Sequence, residues 1–455
     1  MTSALVWFRR DLRLSDNPAL HHALAQGYKP VPVYIHDEQS AMPGAASAWW
    51  LHHSLAALQK DLQQVGSDLV ILKGDSTASL LSIAKDTGAR AVFWNRRYEP
   101  LAIAQDKQVK SVIHNSGLDT HSFSAALLRE PWEFGKADNS PYRVFTPFWK
   151  ALQKTGPPRL PLAAPEALPP LAKKVRATVT LEALQLLPAI NWHSEFDTHW
   201  QPGEFAAWSK LHGFLNNGIL DYSQDRDRPA LQGTSRLSPH LHFGEITPAQ
   251  IWHFAHAWAA NDTTHGVIAA VEAFLRQIAW REFAHHLLFH FPHTADEPLD
   301  PRYRAFPWAI DYTAVLASWQ KGETGIPIVD AGMRELWSTG WMHNRVRMIC
   351  ASLLTKNLLV PWQQGARWFR DTLVDADLAN NSFGWQWTAG CGADAAPYFR
   401  IFNPAEQARK FDPELVYVKR WVPEYGKDAY PPPMVDHAFA RDRAIEVYRR
   451  GMRPD

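Results

Sequence analysis

The sequence predicts two unlike parts, an α/β domain with a parallel sheet at the N-terminus and a larger all-α domain after it. Three observations carry that expectation. Short β-branched and aromatic runs alternate with helical patterns over the first 125 residues, a proline-dense stretch follows near residue 156, and beyond about residue 203 the apolar spacing is almost entirely helical. The length of 455 residues also exceeds one ordinary domain.

The strand candidates come first. "ALVWFRR" (4–10), "PVPVYIHD" (30–37), "SDLVILKG" (67–74) and "ARAVFWNRR" (89–97) are bounded by turn residues, with helical stretches such as "WWLHHSLAALQKDLQQVG" between them. This is the pattern of a Rossmann-like parallel sheet, expected over 1–130. It contains neither GxGxxG nor GxxxxGK[ST], so no nucleotide is expected on a glycine-rich loop here. "GPPRLPLAAPEALPPLAKK", poor in aromatics, marks a connector expected over 131–202. The helical domain, 203–455, is read from "PAQIWHFAHAWAA", "HGVIAAVEAFLRQIAWREFAHHLLFHF", "DAGMRELWSTGWMHNRVRMICASLLTKNLL" and "WQQGARWFRDTLVDADLAN", each with apolar residues at i, i+3, i+4. No internal repeat interrupts this order.

Lys+Arg of 47 against Asp+Glu of 46 leaves a net charge of +1, so a polyanionic partner would need a local basic face. Cys350 and Cys391 are the two cysteines, too few for a disulfide framework or a thiolate zinc site, and suited to a reducing cytoplasm. The N-terminal apolar run is too short for a signal peptide, and none approaches the roughly 20 residues of a membrane span. A soluble, cytoplasmic protein is expected.

Several constellations invite chemistry. His285, His286 and His290 include an i, i+4 pair, but no HExxH glutamate accompanies them and no metal is expected. Asp375 and Asp377, two residues apart, point in different directions and cannot flank one glycosidic bond. In "GTSRLSPHLHFGEIT" (233–247), Thr234, Ser235 and Ser238 surround Arg236 at a helix start; a phosphate site and a plain capped helix fit equally. "WMHNRVRM" (341–348) sets Asn344 with Arg347, and Arg345 with Met348, at i, i+3, favouring a ligand surface over a solvated face. "NNSFGWQWTAGCGADAAPYFR" (380–400) puts Trp385 and Trp387 beside paired asparagines, the composition of a core, a sugar platform, a nucleobase pocket or a path for electrons.

Together "VWFRRDLRLSDNPAL", "GTSRLSPHLHFGEIT", "WREF", "TGIPIVDAGMRELWSTGWMHNRVRM", "LVDADLANN" and "WQWTAGCGADAAPYFRIFNP" resemble the DNA photolyase/cryptochrome family, in order from residue 4 to about 425. The resemblance implies a helical domain holding FAD and blue-light repair of pyrimidine dimers by electron transfer. Carried over by motif, Tyr222, Thr234, Ser235, Arg236, Leu237 and Ser238 would meet the phosphate end of FAD. Arg281, Asn344, Arg347, Asp375, Asp377 and Asn381 would surround its isoalloxazine and adenine. Trp280 and Trp387 would wall a flipped-out dimer, with Asn344, Met348 and Gln277 at its edges. Arg226, Arg345 and Arg400, with Trp280, would meet DNA, while Trp385, Trp362 and Trp308 match a relay that reduces the flavin.

Met348 and Asn344 stand where relatives that repair (6-4) photoproducts carry histidines, which points to cyclobutane dimers. Gln277 departs from the glutamate the family places against the dimer; a cryptochrome-like photoreceptor, or a photolyase for another lesion, is the alternative. In the folate-binding bacterial pattern an Asn-Glu pair follows "YE", and here Leu101 and Ala102 stand there. Methenyltetrahydrofolate in another pose, a deazaflavin, or no antenna therefore all stay open. The expected partner is damaged DNA, met by a monomer with no obligate protein partner.

Overall fold

A computed structural model describes residues 2–452, apart from 38–42, 137, 172–177, 396 and 399. Five strands, β1 (Ser3–Phe8), β2 (Lys29–His36), β3 (Val70–Lys73), β4 (Ala91–Asn95) and β5 (Asp119–Phe123), form one sheet in the order β3-β2-β1-β4-β5. Every pairing is parallel, with Leu5 of β1 opposite Val31 of β2 on one side and Val92 of β4 on the other. Strands covered on both faces need continuous apolar runs, and β1, β2 and β4 are such runs. One face packs against Trp49, Trp50, Leu55 and Leu58, the other against Leu80, Ile83, Val109 and Ile113.

β5, "DTHSF", is the strand the sequence reading did not single out. As an edge strand, half-exposed along its length, it needs no apolar run. The order reverses at β1, whose neighbours β2 and β4 leave the crossing helices on opposite sides, so the carboxyl ends of β1 and β4 open a crevice.

The remainder is helical. Pro248–Ala260 forms as expected, started by Pro248 and a reciprocal capping box between Thr247 and Gln250. The long run from 330 to 359 does not form one helix: Pro327–Thr339 ends at Gly340 (φ 67°), and Asn344–Ser352 begins again with the His343 side chain accepting from the Arg345 amide. A Cβ at position 340 would lie 2.8 Å from Phe196 and Val374, so glycine allows the close approach as well as the turn. Leu353–Asn357 then adopts a π-helical turn. The next run also divides, into Trp362–Thr372 and Leu378–Ala389, where Asp377 caps the second helix by accepting from the Asn380 amide.

Within the expected connector, Phe145–Lys154 is a helix whose Phe145, Phe148, Trp149 and Leu152 join the core of Val267–His290 through Phe274, Ile278 and Phe283. The first half of that segment is thus covered by the helical core.

Candidate functional site

A cavity of about 540 Å³ opens among the helices Val267–His290, Asn344–Ser352, Trp362–Thr372 and Leu378–Ala389. Helical spacing directs its walls. On Leu378–Ala389 the residues Asn381, Gly384, Trp385 and Thr388 fall on one face, and Asn380, Gly384 and Trp387 on the adjoining one. Gly384 is the open point between them: a Cβ there would meet nothing within 4 Å.

At the deep end, Asp375 accepts from Arg347 Nη2 at 2.8 Å and from the Ser238 hydroxyl at 2.6 Å, both at Oδ2. Its Oδ1 is buried and has no partner. Arg347 Nε donates to the Met342 carbonyl at 2.8 Å, fixing the guanidinium. Arg236 takes a left-handed backbone (φ 52°) and lays its guanidinium over Trp341 and Trp200, 4.5 and 4.7 Å from the ring centroids. Burial draws its pKa down against the pull of Glu335 and Asp375, and its Nε is unpartnered. Glu335, pushed up to about 6 by burial, accepts from the Tyr417 hydroxyl at 2.6 Å and the His343 amide at 3.2 Å.

Trp385 is buried with its Nε1 unpartnered, and its ring meets Phe369 at 5.0 Å and Trp319 at 6.1 Å between centroids. A Cβ on Gly365 would lie 2.0 Å from this indole, so only glycine lets the two helices close around it. Trp280 is fixed differently, stacked on Phe145 at 3.6 Å with an interplanar angle of 7°, which leaves the cavity its other side. Beside it, Gln277 Oε1 accepts from Arg226 Nη2 at 3.3 Å. Arg345 pairs with Asp227 at 2.9 Å and lies over Phe411, and Arg400 is exposed.

The structure thus brings Tyr222, Arg226, Thr234, Gln277, Trp280, Asn344, Arg345, Arg347, Met348, Asp375, Asn381, Trp385 and Trp387 to one cavity. Ser238 and Arg236 act from behind it through Asp375 and Trp341, with Leu237 buried and Ser235 half-buried between them. Arg281 and Asp377 face elsewhere, into a small cavity of about 30 Å³ at the seam between the two domains. Arg281 Nη1 donates there to the Ala126 carbonyl at 2.8 Å. Asp377 sits 3.5 Å from His285 and 3.7 Å from His242; burial favours its acid form, but the imidazoles hold it well below the usual carboxylate range. Trp362 is buried in the same core as Trp385, and Trp308 is half-buried against Phe306 at 4.5 Å.

His286 accepts from the Tyr142 amide, and His290 Nε2 lies 3.0 Å from the Pro131 carbonyl, so both tie down the connector. Among the described residues no group of three His, Cys, Asp or Glu could hold a metal, and no helix is long and apolar enough to cross a membrane. Sequence reasoning missed Phe145 and Trp200, which lie in the expected connector, and Trp319, which looks like any core indole.

The orphaned Asp375 Oδ1, Arg236 Nε and Trp385 Nε1, with the space beside Gly384, fit a large polar aromatic group such as a flavin. Residues 4–169 match the family model described as DNA photolyase, and residues 274–427 match the FAD binding domain of DNA photolyase. A deoxyribodipyrimidine photo-lyase of Agrobacterium fabrum is 45% identical over 98% of this chain and 97% of its own. Cryptochrome-1 of Arabidopsis thaliana is 38% identical over 93% of this chain and 63% of its own. The crystal structure of a bacterial class III photolyase from Agrobacterium tumefaciens superposes with a TM-score of 0.95 at 44% identity, covering 99% of this chain and 98% of that one.

Proposed function

The chain belongs to the DNA photolyase family and carries its FAD-binding domain, and from that premise we propose that it repairs cyclobutane pyrimidine dimers in DNA under blue light. The observation that carries this reading is the one cavity that Trp280, Trp387, Met348, Asn344 and Gln277 line together with Asp375, Arg347 and Asn381. Bound in reduced form, FAD supplies the light-excited electron that opens the cyclobutane ring and is afterwards returned.

Every other part of the reading concerns the chain itself. Asp375, Arg347, Asn344 and Asn381 hold the ring system, while Tyr222, Thr234, Ser235, Arg236, Leu237 and Ser238 hold the phosphates. Asp377 and Arg281 serve from the seam, Asp377 by capping the helix that bears Asn381. Trp280 and Trp387 clasp an unstacked dimer, and Asn344 and Gln277 offer amides to its base edges. Met348, 4.0 Å from both Asn344 Nδ2 and Arg345 Nη1, fills the gap with a soft group and no acidic proton. Arg226, Arg345 and Arg400 meet phosphates, so affinity for lesion DNA falls as salt rises. Trp308, Trp362 and Trp385 conduct electrons inward from the surface. An antenna chromophore, if present, is assigned to the crevice at the strand ends lined by Trp7, Arg9, Tyr34, Arg97 and Gln105.

The test is to illuminate the reduced flavoprotein with dimer-containing DNA and follow dimer loss. Repair supports the reading. Photoreduction without dimer loss would move the assignment to a cryptochrome-like photoreceptor or another lesion.

A further inference from the structure

Lys356 is a buried cation with no anion. It stands in the π-helical turn Leu353–Asn357 at 1% exposure, and among the described residues no carboxylate is ion-paired with it. Its Nζ donates to the backbone carbonyl of Arg400 at 3.1 Å and lies 5.4 Å from the centroid of the Tyr398 ring. Burying an ammonium is costly unless something specific is held in return, and π-helical turns are frequent at functional sites.

What is held is a loop. The described residues between Cys391 and Phe402 follow the helix that bears Asn381 and Trp387. The loop is pinned at its start by the Cys391 and Gly392 amides donating to the Gln386 carbonyl, both at 3.1 Å, and at its end by the Phe402 amide donating to Ser352 Oγ at 3.2 Å. Tyr398 is pinned by stacking on Tyr448 at 4.5 Å and 7°. Arg400 itself has an exposed side chain, and among the described residues its amide makes a local bond, to the Pro397 carbonyl at 2.8 Å.

We propose that Lys356 is a positioning residue for DNA binding: its ammonium clamps the Arg400 carbonyl and so sets the exposed Arg400 guanidinium for contact with the phosphate backbone. This rests on the reading above that Arg400 meets DNA. The groups facing Lys356 are Cys391, Tyr398 and Arg400; one step further out, Tyr303 and Tyr448 pack against Tyr398, and His437 and Arg443 of the last helix bond to Asn357. Burial pushes the Cys391 thiol and the Tyr398 hydroxyl up, so both are neutral near pH 7. Burial first, and then the Arg400 charge, bring Lys356 down to about 7. The clamp is therefore charged below neutrality and neutral above it, and a charge-assisted bond to a carbonyl is stronger than a neutral one.

The experiment measures binding of the FAD-loaded protein to a dimer-containing oligonucleotide, by fluorescence anisotropy, from about pH 6 to about pH 9. Wild type, Lys356→Met, Lys356→Arg, Arg400→Ala and the Lys356→Met/Arg400→Ala double variant are compared. Lys356→Met and Arg400→Ala should each weaken binding by about tenfold, and the double variant no further, because both act through one contact. Lys356→Arg should retain binding at high pH, since guanidinium stays charged. Wild-type affinity should fall through neutrality, and Arg400→Ala should lose that pH dependence, a readout available even where Lys356→Met fails to fold. Arg400→Ala weakened with Lys356→Met unaffected, or the two losses additive, overturns the clamp alone. Arg400→Ala binding like wild type overturns the phosphate assignment and the clamp with it.

Discussion

The seam between the two domains and the cavity inside the helical domain are built from the same residue types, buried arginines, carboxylates and indoles, yet only one of them has room for a ligand. In the seam, about 30 Å³, arginines and carboxylates pair with one another, and the ring nitrogens of His242 and His285 that lack hydrogen-bond partners have no ligand-sized volume beside them. Glu99 accepts from Arg97 at 2.9 Å and Arg10 at 3.0 Å, and Glu130 accepts from Arg96 at 2.5 Å and from the Tyr98 hydroxyl at 2.7 Å. In the cavity, about 540 Å³, the Asp375 carboxylate oxygen and the Trp385 indole nitrogen are left without partners, and so is the Arg236 guanidinium nitrogen behind it. The difference teaches that displaced pKa values alone do not mark a site. Glu99 and Asp377, both held well down, belong to the seam. Unused hydrogen-bonding capacity beside open volume is the better sign.

The largest expected effect breaks the seam. Glu99→Ala leaves the half-buried Arg97 and Arg10 facing each other without their shared buried carboxylate, a loss of about 3 kcal/mol of stability by chemical denaturation. FAD content per folded molecule should not change. The pH sign follows from the ion pairs: although burial opposes it, Arg97 and Arg10 depress the Glu99 pKa, so its stabilisation is present above the ordinary carboxylate range and lost as the protein is acidified. Glu99→Gln should flatten that part of the acid-unfolding curve. A large loss of flavin at unchanged stability would contradict the division between the two regions.

The reverse pattern is expected at Asp375. Asparagine there keeps an oxygen for Ser238 but removes the charge opposite Arg347, so FAD retention should fall by about 1.5–3 kcal/mol, the worth of a charged hydrogen bond. Flavin titration of the apoprotein measures it, and the stability of the apoprotein should move much less.

How far the sequence reached follows the same line. β1, β2, β3 and β4 are legible because strands buried on both faces must be apolar throughout, whereas β5 carries no such mark. The cavity was legible where motif residues lie on one helix face, as with Asn344, Arg345, Arg347 and Met348. Asp375 and Asp377 show where legibility ends: spacing says that residues two apart point differently, but only the fold says that one meets Arg347 and the other His285. Phe145 behind Trp280 and Trp200 behind Arg236 lie in the expected connector, on either side of its proline-rich stretch. Their roles depend on contacts far apart in sequence, which no local pattern records.

A smaller change tests the wall itself. Gly365→Ala forces a methyl into the Trp385 indole and should cost about 1–3 kcal/mol as overpacking, with the indole displaced. Trp385→Phe keeps the space and removes the indole. It should block photoreduction of the oxidised flavoprotein, followed by absorbance under blue light, yet spare repair by protein reduced chemically beforehand. Photoreduction surviving in Trp385→Phe would move the relay onto other indoles, and Trp319, which touches the same ring, is the first to substitute.

The smallest expected effect lies at the cavity mouth, where Gln277 departs from the glutamate of the resemblance. As glutamine it offers the dimer a permanent N–H and spends its oxygen on Arg226 at 3.3 Å. In Gln277→Glu, Arg226 becomes an ion-pair partner and draws the new carboxyl below its ordinary value of about 4.3, so at neutral pH it is an anionic acceptor for base N–H groups. Exchanging a neutral for a charge-assisted hydrogen bond should raise repair yield by on the order of 1 kcal/mol, with FAD content unchanged. Acidification should reverse the gain as the carboxylate takes up its proton. The ion pair also takes Arg226 from the phosphates, so the log–log salt slope for lesion DNA should fall by about one. A variant with lower yield at every pH would show that the amide, not the carboxylate, is adapted to this cavity, and would shift weight toward a different lesion or toward signalling.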